Sequence, residues 1–231
     1  MDALELVARA RLFEGVSAAE IESLRPALRV RNFGKDTHVF REGDPGSHLF
    51  IVASGQVKIT RVAASGAEIV FAVIGPGEVF GELSLFEEEG ERSADAVALE
   101  ATECVLLAKS AVLHFLREHP ALLLRLVSSL VAYIQRKDRA LAEVAFLDIP
   151  GRVAGKLLEL AASRGELEPG GGVVIRMPLS QRTLAGMVGA SRENVNRALH
   201  RFAELGYIRQ SKGTVTVLKA DALRRRSALE E

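Results

Sequence analysis

The pattern of hydrophobic and polar positions changes twice along this 231-residue chain. Residues 2–25 predict short helices, in which Ser17 and Glu20 have the spacing of a capping box. From about residue 29 to residue 109, short β-rich runs are separated by Gly and Pro. The clearest of these runs are 49–53, 56–62, 69–74 and 102–108. Short strands at roughly regular spacing with turn signals predict an antiparallel sandwich or barrel-like roll.

The second change comes near residue 110, where a helical period replaces the alternating one. Residues 121–146 predict one long helix, and Pro120 suits its first turn. Apolar residues recur along it at alternating steps of four and three, which is a heptad seam with a polar break at Lys137. The seam positions are 123, 127, 130, 134, 137, 141 and 144. This pattern predicts a parallel homodimer through the helix, and the alternative is that the stripe packs against its own β-roll.

Residues 148–151 predict a hinge after the long helix. Pro150 disfavours helix at the residue before it, and Gly151 adds backbone freedom. A further helix is expected next, followed by a Gly-rich loop at 165–172. The predicted domains are therefore a β-roll over 1–119, a long helix over 120–147 and a third domain over 148–231.

Residues 180–199 have the sequence pattern of a helix-turn-helix. Ser180 and Ser191 suit the N-caps of two helices, and Gly189 suits the tight turn between them. The buried face of the second helix is predicted to consist of Val195, Leu199 and Phe202. Residues 207–217 predict a two-stranded hairpin, which is the wing of such a domain.

The opposite face of the second helix carries side chains that suit DNA. An Arg can donate to guanine O6 and N7, and Glu193 can accept from cytosine N4. The alternative is a surface helix of solvated charges, in which Glu193 and Arg197 are only an i,i+4 pair. The run 224–226 of three Arg is either a phosphate contact or a solvated tail. The predicted DNA-binding residues are Ser191, Arg192, Glu193, Asn196, Arg197, His200, Arg209 and Lys212.

A second group of candidate binding residues lies in the β-rich segment, at 81–84 and at Arg92-Ser93. An Arg side chain can bind phosphate oxygens through paired charge-assisted hydrogen bonds. A carboxylate only accepts hydrogen bonds, so Glu82 suits a sugar hydroxyl. Ser93 and the backbone N–H groups of the turn suit the remaining oxygens. Together these residues indicate a site for a ribose cyclic phosphate.

Composition narrows the classes of function. The net charge is zero, but residues 1–147 carry 16 Lys and Arg against 21 Asp and Glu, whereas residues 148–231 carry 14 against 9. The basic second part favours an anionic partner. Cys104 is the one cysteine, so no disulfide forms within the chain, and we expect a buried structural thiol. With no apolar run long enough to span a membrane, no signal peptide and no nucleophile–base arrangement, we expect a cytoplasmic protein that is not an enzyme.

The order of these parts resembles the cyclic-AMP receptor protein (CRP/FNR) family of bacterial transcription regulators over nearly the whole chain. The most specific matches are residues 80–84, 92–93, 145–152 and 188–195. The resemblance implies an α+β fold: an N-terminal cyclic-nucleotide-binding β-roll of double-stranded jelly-roll type, a long dimerisation helix and a C-terminal winged helix-turn-helix. It also implies a homodimer that binds double-stranded DNA at a palindromic operator with TGTGA-like half-sites and contacts RNA polymerase.

The resemblance also assigns an effector, which is cyclic AMP. The effector-binding residues that it implies are Gly81, Glu82, Leu83, Ser84, Arg92, Ser93, Lys137 and Asp138. The cyclic-AMP receptor has Thr and Ser at the last two positions, where they bind the adenine amino group. Asp138 can accept from adenine N6, and the adjacent donors of guanine suit a carboxylate better. Cyclic GMP is therefore an alternative effector, as is a cyclic dinucleotide, and a further alternative is an effector-independent regulator with a vestigial pocket.

Overall fold

The computed structural model describes residues 2–86, 90–169, 171–175, 180–211 and 214–228. The chain divides into two units. The first consists of Met1–Arg61 with Val70–Tyr133, and the second of Val62–Ile69 with Ile134–Glu231. Helices and antiparallel sheets both occur among the described residues, so the predicted α+β class is confirmed. None of the described helices combines the length and the apolarity that crossing a membrane requires.

Short helices begin the first unit. α1 (Ala3–Arg9) starts after Asp2, and α2 (Ala18–Glu22) starts after Ser17. Ser17 and Glu20 form the predicted capping box, because each side chain accepts a hydrogen bond from the other residue's backbone N–H. The apolar sides of these helices are buried in a core that they share with the roll.

Among the described residues, eight strands form the roll. They are β1 (Leu28–Phe33), β2 (His38–Phe40), β3 (His48–Ser54), β4 (Val57–Val62), β5 (Glu68–Ile74), β6 (Val79–Phe80), β7 (Asp95–Ala98) and β8 (Thr102–Ala108). They make two four-stranded sheets, in the orders β1-β8-β3-β6 and β2-β7-β4-β5. The four runs predicted from the hydrophobic pattern coincide with β3, β4, β5 and β8, so those predictions are confirmed.

Successive side chains of β3 point to opposite faces of its sheet and enter two apolar cores, an outer core against the helices and an inner core between the two sheets. Leu49 and Ile51 are buried against the helices, whereas Phe50 and Val52 are buried between the two sheets. Cys104 on β8 belongs to the inner core. Cys104 is fully buried, as predicted, and burial raises the pKa of its thiol to about 12.

Two helices follow β8: α3 (Lys109–Glu118) and α4 (Pro120–Phe146). α4 has 27 residues, which corresponds to about 40 Å at the rise of an α-helix. Leu122 and Leu126 are buried in the core of the first unit, but the neighbouring seam residues Leu123 and Val127 are 40% and 47% exposed. In this unit Leu123 and Val127 are therefore only partly buried against the chain's own residues. The seam residues further along α4 are also exposed, namely Ile134, Leu141 and Val144.

The predicted hinge at 148–151 overlaps an interruption of the helical backbone only at Asp148, and the expected absence of helix at Ile149 is wrong. α5 (Ile149–Arg164) already contains Pro150 in its first turn, and the helical backbone is interrupted at Leu147 and Asp148 instead. Pro is tolerated there because the first N–H groups of a helix have no helical partner in any case. Asp148 is the N-cap of α5, since its Oδ1 accepts from the Gly151 N–H at 2.8 Å.

The predicted Gly-rich loop at 165–172 is wrong in part. Gly165–Leu167 is strand β9, which pairs antiparallel with β10 (Val173–Ile175). Gly165 is needed where α5 gives way to β9, because a Cβ there would lie 2.2 Å from both the Ala161 carbonyl oxygen and Val173 Cγ1. Gly165, which was predicted to belong to a loop, therefore stands where the backbone packs closely at the start of a strand.

The remaining elements complete the second unit. They are α6 (Gln181–Val188), α7 (Arg192–Glu204), β11 (Ile208–Ser211), β12 (Thr214–Val217) and α8 (Ala220–Ser227). β11 and β12 are the predicted wing, and they continue into one sheet of order β11-β12-β10-β9. The Arg run at 224–226, expected to be either a phosphate contact or a solvated tail, belongs to α8, in which Leu223 is fully buried. Two of the three Arg are ion-paired, Arg224 with Asp221 and Arg226 with Asp148.

Candidate effector and DNA-binding sites

Arg92 is the centre of the candidate effector site. Its side chain is only 4% exposed and points towards the backbone that leaves β6. Nη1 donates to the Gly81 carbonyl at 2.9 Å and to Ser84 Oγ at 3.0 Å, and Nη2 donates to the His48 carbonyl at 2.6 Å. We call these four residues the Arg92 cluster. It brings the two sequence motifs of the predicted site together.

Two aromatic rings cover the guanidinium of Arg92. Its Cζ lies 4.3 Å from the centroid of the Phe40 ring and 5.4 Å from that of Phe50, which is a cation–π arrangement. Burial lowers the pKa of the Arg92 guanidinium, and the negative charges of Glu82 and Asp44 oppose that shift. The cation is therefore held in a poorly solvated position by neutral groups.

Arg92 retains unused binding capacity. Its Nε is buried without a hydrogen-bond partner, and no carboxylate among the described residues lies within ion-pair distance of its guanidinium. A buried cation without an adjacent anion is unfavourable, because its desolvation is not offset by pairing. Among the described residues the guanidinium of Arg92 therefore has no anion in direct contact, although Glu82 and Asp44 lie nearby, and a phosphate would supply one.

Close backbone approach explains the glycines of this site. Gly81 has φ +82°, and a Cβ on it would lie 2.7 Å from Arg92 Nη1. Gly46 is packed as closely, because a Cβ would lie 2.2 Å from Ser84 Oγ. Sequence analysis missed Gly46 and the contact with His48. The turn at 43–46 was visible in the sequence, but nothing there linked it to Arg92.

The other predicted effector residues differ in their burial. Glu82 is half-buried, and burial raises the pKa of its carboxyl. Leu83 lies in a short 3₁₀ turn beside it and is 42% exposed. Ser93 is exposed, and its carbonyl oxygen accepts from Arg61 Nη2 at 3.1 Å. The structure thus places an accepting carboxylate and an exposed serine beside the Arg92 cluster.

Lys137 and Asp138 lie on the part of α4 that belongs to the second unit. Asp138 is exposed and Lys137 is half-buried. Burial, together with the positive charges of Lys156 and Arg136, lowers the pKa of Lys137 to about 8. Among the described residues, no group of three or more His, Cys, Asp and Glu could hold a metal ion.

The predicted helix-turn-helix is confirmed in detail. Ser180 caps α6, since its Oγ accepts from the Thr183 N–H at 3.0 Å, and Ser191 caps α7 in the same way. Gly189 ends α6 in the left-handed conformation, with φ 61° and ψ 48°. Val195, Leu199 and Phe202 are buried on one side of α7, as predicted.

The other side of α7 carries the predicted DNA-reading residues. Arg192, Glu193, Arg197 and His200 are exposed, and Asn196 is half-buried. Arg197 donates to the side chain of Asn194. On the wing, Arg209 forms an ion pair with Glu168, so a phosphate contact would compete with that carboxylate. Lys212 and Gly213 lie outside the described residues.

Arg152 and Arg226 each connect two parts of this domain. Arg152 Nη1 donates to the Val188 carbonyl at 2.7 Å and to the Gly189 carbonyl at 3.3 Å, so α5 holds the turn between α6 and α7. Arg226 on α8 pairs with Asp148, the cap of α5. The orientation of α7 therefore depends on the start of α5.

Two family models match the chain. Residues 30–119 match the cyclic nucleotide-binding domain, and residues 151–226 match the Crp-like helix-turn-helix domain. The first match contains the Arg92 cluster, and the second contains α6, α7 and the wing. Lys137 and Asp138 lie between the two matched segments.

The chain is also similar to characterised regulators. It is 38% identical to the CRP-like cAMP-activated global transcriptional regulator of Mycobacterium tuberculosis, over 96% of this chain and 99% of that one. It is 37% identical to the cyclic AMP receptor protein of Thermus thermophilus, over 92% and 94% of the two chains. A solved structure of the c-di-GMP-responsive global regulator CLP of Xanthomonas campestris matches with a TM-score of 0.75 and 26% identity, over 87% and 99%.

Proposed function

Because this chain belongs to the CRP/FNR family of DNA-binding transcription regulators, we propose that it is a homodimer whose affinity for an operator is raised by cyclic AMP. The family consists of transcription regulators, which are not enzymes. The proposed effector site is the Arg92 cluster with Glu82 and Ser93, and the proposed DNA-reading element is α7.

The buried, incompletely paired guanidinium of Arg92 is the observation that carries the effector proposal. A cyclic phosphate would bring an anion to a cation that now contacts only neutral acceptors. Arg92 Nε has no partner and could donate to the phosphate without breaking the bonds to Gly81 and His48, and a hydrogen bond between two ions is stronger than one to a neutral acceptor. Glu82 would accept from the ribose hydroxyl, and a hydrogen bond donated to its carboxylate would oppose the burial that raises its pKa.

Isothermal titration calorimetry of the purified chain with cyclic AMP, cyclic GMP and cyclic di-GMP tests this proposal. We expect saturable binding of cyclic AMP and an increase in operator affinity at saturation. Binding of none of the three, together with unchanged DNA affinity, would instead support the effector-independent regulator.

Cyclic GMP and cyclic di-GMP are alternative effectors, and the residues that favour a guanine base are Lys137 and Asp138. A carboxylate suits the two adjacent donors of guanine, and the c-di-GMP-responsive CLP regulator is a structural relative at 26% identity. The assignment of these two residues to the nucleotide base rests on the resemblance. Tighter binding of cyclic GMP or cyclic di-GMP than of cyclic AMP in the same titration would establish this alternative.

The exposed seam of α4 supports the proposed homodimer. Val127, Ile134, Leu141 and Val144 are 47–71% exposed along one helix, and a heptad seam of this kind is buried by a parallel partner helix. Light scattering should therefore give twice the chain mass, and Ile134→Glu should shift the mass towards that of one chain.

The proposed partners are double-stranded DNA and RNA polymerase in the cytoplasm. A dimer places its recognition helices about one DNA turn apart, ~34 Å, which matches a palindromic operator with TGTGA-like half-sites. Effector and operator are expected to raise each other's affinity by the same factor, because coupling between two ligands is reciprocal. We propose that Lys212 contacts phosphate, so Lys212→Ala should weaken binding to all sequences alike.

A further inference from the structure

Gln181, the first residue of α6, connects two of the side chains that face DNA in our proposal. Its Oε1 accepts a hydrogen bond from Arg192 Nε at 3.4 Å. Its Nε2 donates to Asn196 Oδ1 at 2.9 Å. Gln181 and Asn196 are half-buried, whereas Arg192 is exposed. A single amide thus joins the start of α6 to two successive turns of α7.

The chemistry of the three side chains fixes the direction of both hydrogen bonds. Arg192 Nε can only donate, so it must face the oxygen of the Gln181 amide. The Gln181 nitrogen then faces Asn196, and a nitrogen that donates requires the oxygen of Asn196 on that side. The amide nitrogen of Asn196 is left on the side away from Gln181.

We propose that Gln181 is a positioning residue that determines which groups of Arg192 and Asn196 face the base pairs. The proposal rests on the proposed DNA-binding function of α7. Because Gln181 engages Nε, both Nη groups of Arg192 remain for the paired contact with guanine O6 and N7. Because Gln181 also engages Oδ1, Asn196 presents its Nδ2 donors to the DNA.

A specific base preference follows for Asn196. Its donors suit acceptor edges of the major groove, which are guanine O6 and N7 and thymine O4. The paired contact that Asn usually makes with adenine needs its oxygen and its nitrogen together. Gln181 occupies one lone pair of that oxygen and keeps the oxygen turned towards α6, so Asn196 is expected to disfavour adenine at its base pair.

Gln181→Glu reverses this arrangement. A carboxylate only accepts, so it keeps the contact with Arg192 but requires Asn196 to turn its nitrogen towards position 181. The oxygen of Asn196 would then face the DNA and accept from adenine N6 or cytosine N4. Gln181→Leu removes both hydrogen bonds, which frees both groups of Asn196 and should increase the preference for adenine.

Selection from a duplex library tests the proposal. The full-length chain, saturated with cyclic AMP, is incubated with a palindromic library in which every half-site position is randomised, and the bound sequences are counted. A good paired base contact contributes about 1–3 kcal/mol, or about 5- to 150-fold in discrimination. We expect Gln181→Glu to change the base ratio at one half-site position by at least about fivefold, the lower end of that range.

Gln210→Glu is the matched control. Gln210 is exposed on β11 of the same domain, so its substitution adds the same charge without touching Arg192 or Asn196. It should weaken binding to all sequences and leave the selected motif unchanged. Gln181→Glu should not unfold the domain, because a negative charge in the first turn of α6 interacts favourably with the helix dipole.

The outcomes separate the two proposals. If the wild-type chain selects no motif with cyclic AMP, with cyclic GMP or without nucleotide, the proposed function is wrong. If the wild type selects a motif and both Gln181 variants select the same one with folding intact by circular dichroism, only the positioning role is wrong. A changed base at a single position in the Gln181 variants, and not in Gln210→Glu, supports it.

Discussion

The Arg92 cluster and the exposed face of α7 that we propose contacts DNA both contain arginine, but in opposite environments. Arg92 is 4% exposed, donates three hydrogen bonds to its own chain and lies over Phe40. Arg192 and Arg197 are exposed, and each donates to one nearby amide side chain. A buried arginine is thus part of the fold, whereas an exposed one is available for DNA without supporting the fold.

The physical reason is solvation. In a poorly solvated position, each hydrogen bond of a cation is strong, and removing the cation leaves buried acceptors without partners. At the surface, water replaces a lost partner, so substitution changes stability little. Substitution of Arg92 should therefore lower the stability of the fold, whereas substitution of Arg192 or Arg197 should change DNA binding and leave stability unchanged.

Arg92→Ala is expected to have the largest effect. It removes the cation and leaves the carbonyls of Gly81 and His48 without these donors, which should lower the free energy of unfolding by about 2–5 kcal/mol. Effector binding by calorimetry should be lost as well. Arg61→Ala is the control, because its ion pair with Glu42 is exposed and should contribute at most about 1 kcal/mol. Equal destabilisation by the two variants would contradict the comparison.

Arg192→Ala and Arg197→Ala should show the opposite behaviour. Each is expected to lower discrimination between bases by about 1–3 kcal/mol at one half-site position, with an unchanged melting temperature. Fluorescence anisotropy against single-base operator variants measures this loss. Arg201→Ala on the same helix, whose side chain pairs with Glu204, serves as the control and should keep the base preference. A uniform loss for every operator would mean that these residues contact only phosphate.

Asp148→Ala tests whether the start of α5 supports the DNA-binding domain. It removes the N-cap of α5 and the partner of Arg226, and loss of a cap usually costs about 0.5–2 kcal/mol. Thermal unfolding should report this loss. Asp148→Asn keeps a capping oxygen and should recover most of it, so equal losses in the two variants would place the effect in the ion pair instead.

The smallest expected effect is a pH dependence in the first unit. A hydrogen bond to the Phe115 carbonyl raises the pKa of His119, and Glu20 raises it further. Both ring nitrogens face acceptors, so the protonated ring is the form that binds. His119 thus stabilises the fold fully below its unfolded pKa, about 6.5, and this contribution is lost as the pH rises through the folded value.

His119→Phe measures that contribution, because it keeps an aromatic ring beside Phe115 and removes the titration. The difference in melting temperature between the wild type and the variant should be larger at pH 5.5 than at pH 8.5. A difference that is the same at both pH values would show that His119 acts only through its contact with Phe115.

The local sequence determined the elements whose signals are local. The strands β3, β4, β5 and β8, the long helix α4 and the capping box at Ser17 follow from side-chain period and capping chemistry. The helix-turn-helix followed in the same way, because Ser180, Gly189 and Ser191 each satisfy a requirement of the adjacent backbone. The association of Arg92 with the turn at Gly81 was also predicted, because the two residues are close in sequence and complementary in chemistry.

Tertiary structure decided which distant groups meet. The contacts of Arg92 with His48, of Gln181 with Asn196 and of Arg226 with Asp148 join residues separated by 44, 15 and 78 positions. The hydrophobic pattern along a helix or strand shows which of its faces is buried. It does not show which residues of a distant element that face contacts. Tertiary structure also decides which side chains are buried. The opposite environments of Arg92 and Arg192 therefore arise only when the chain folds.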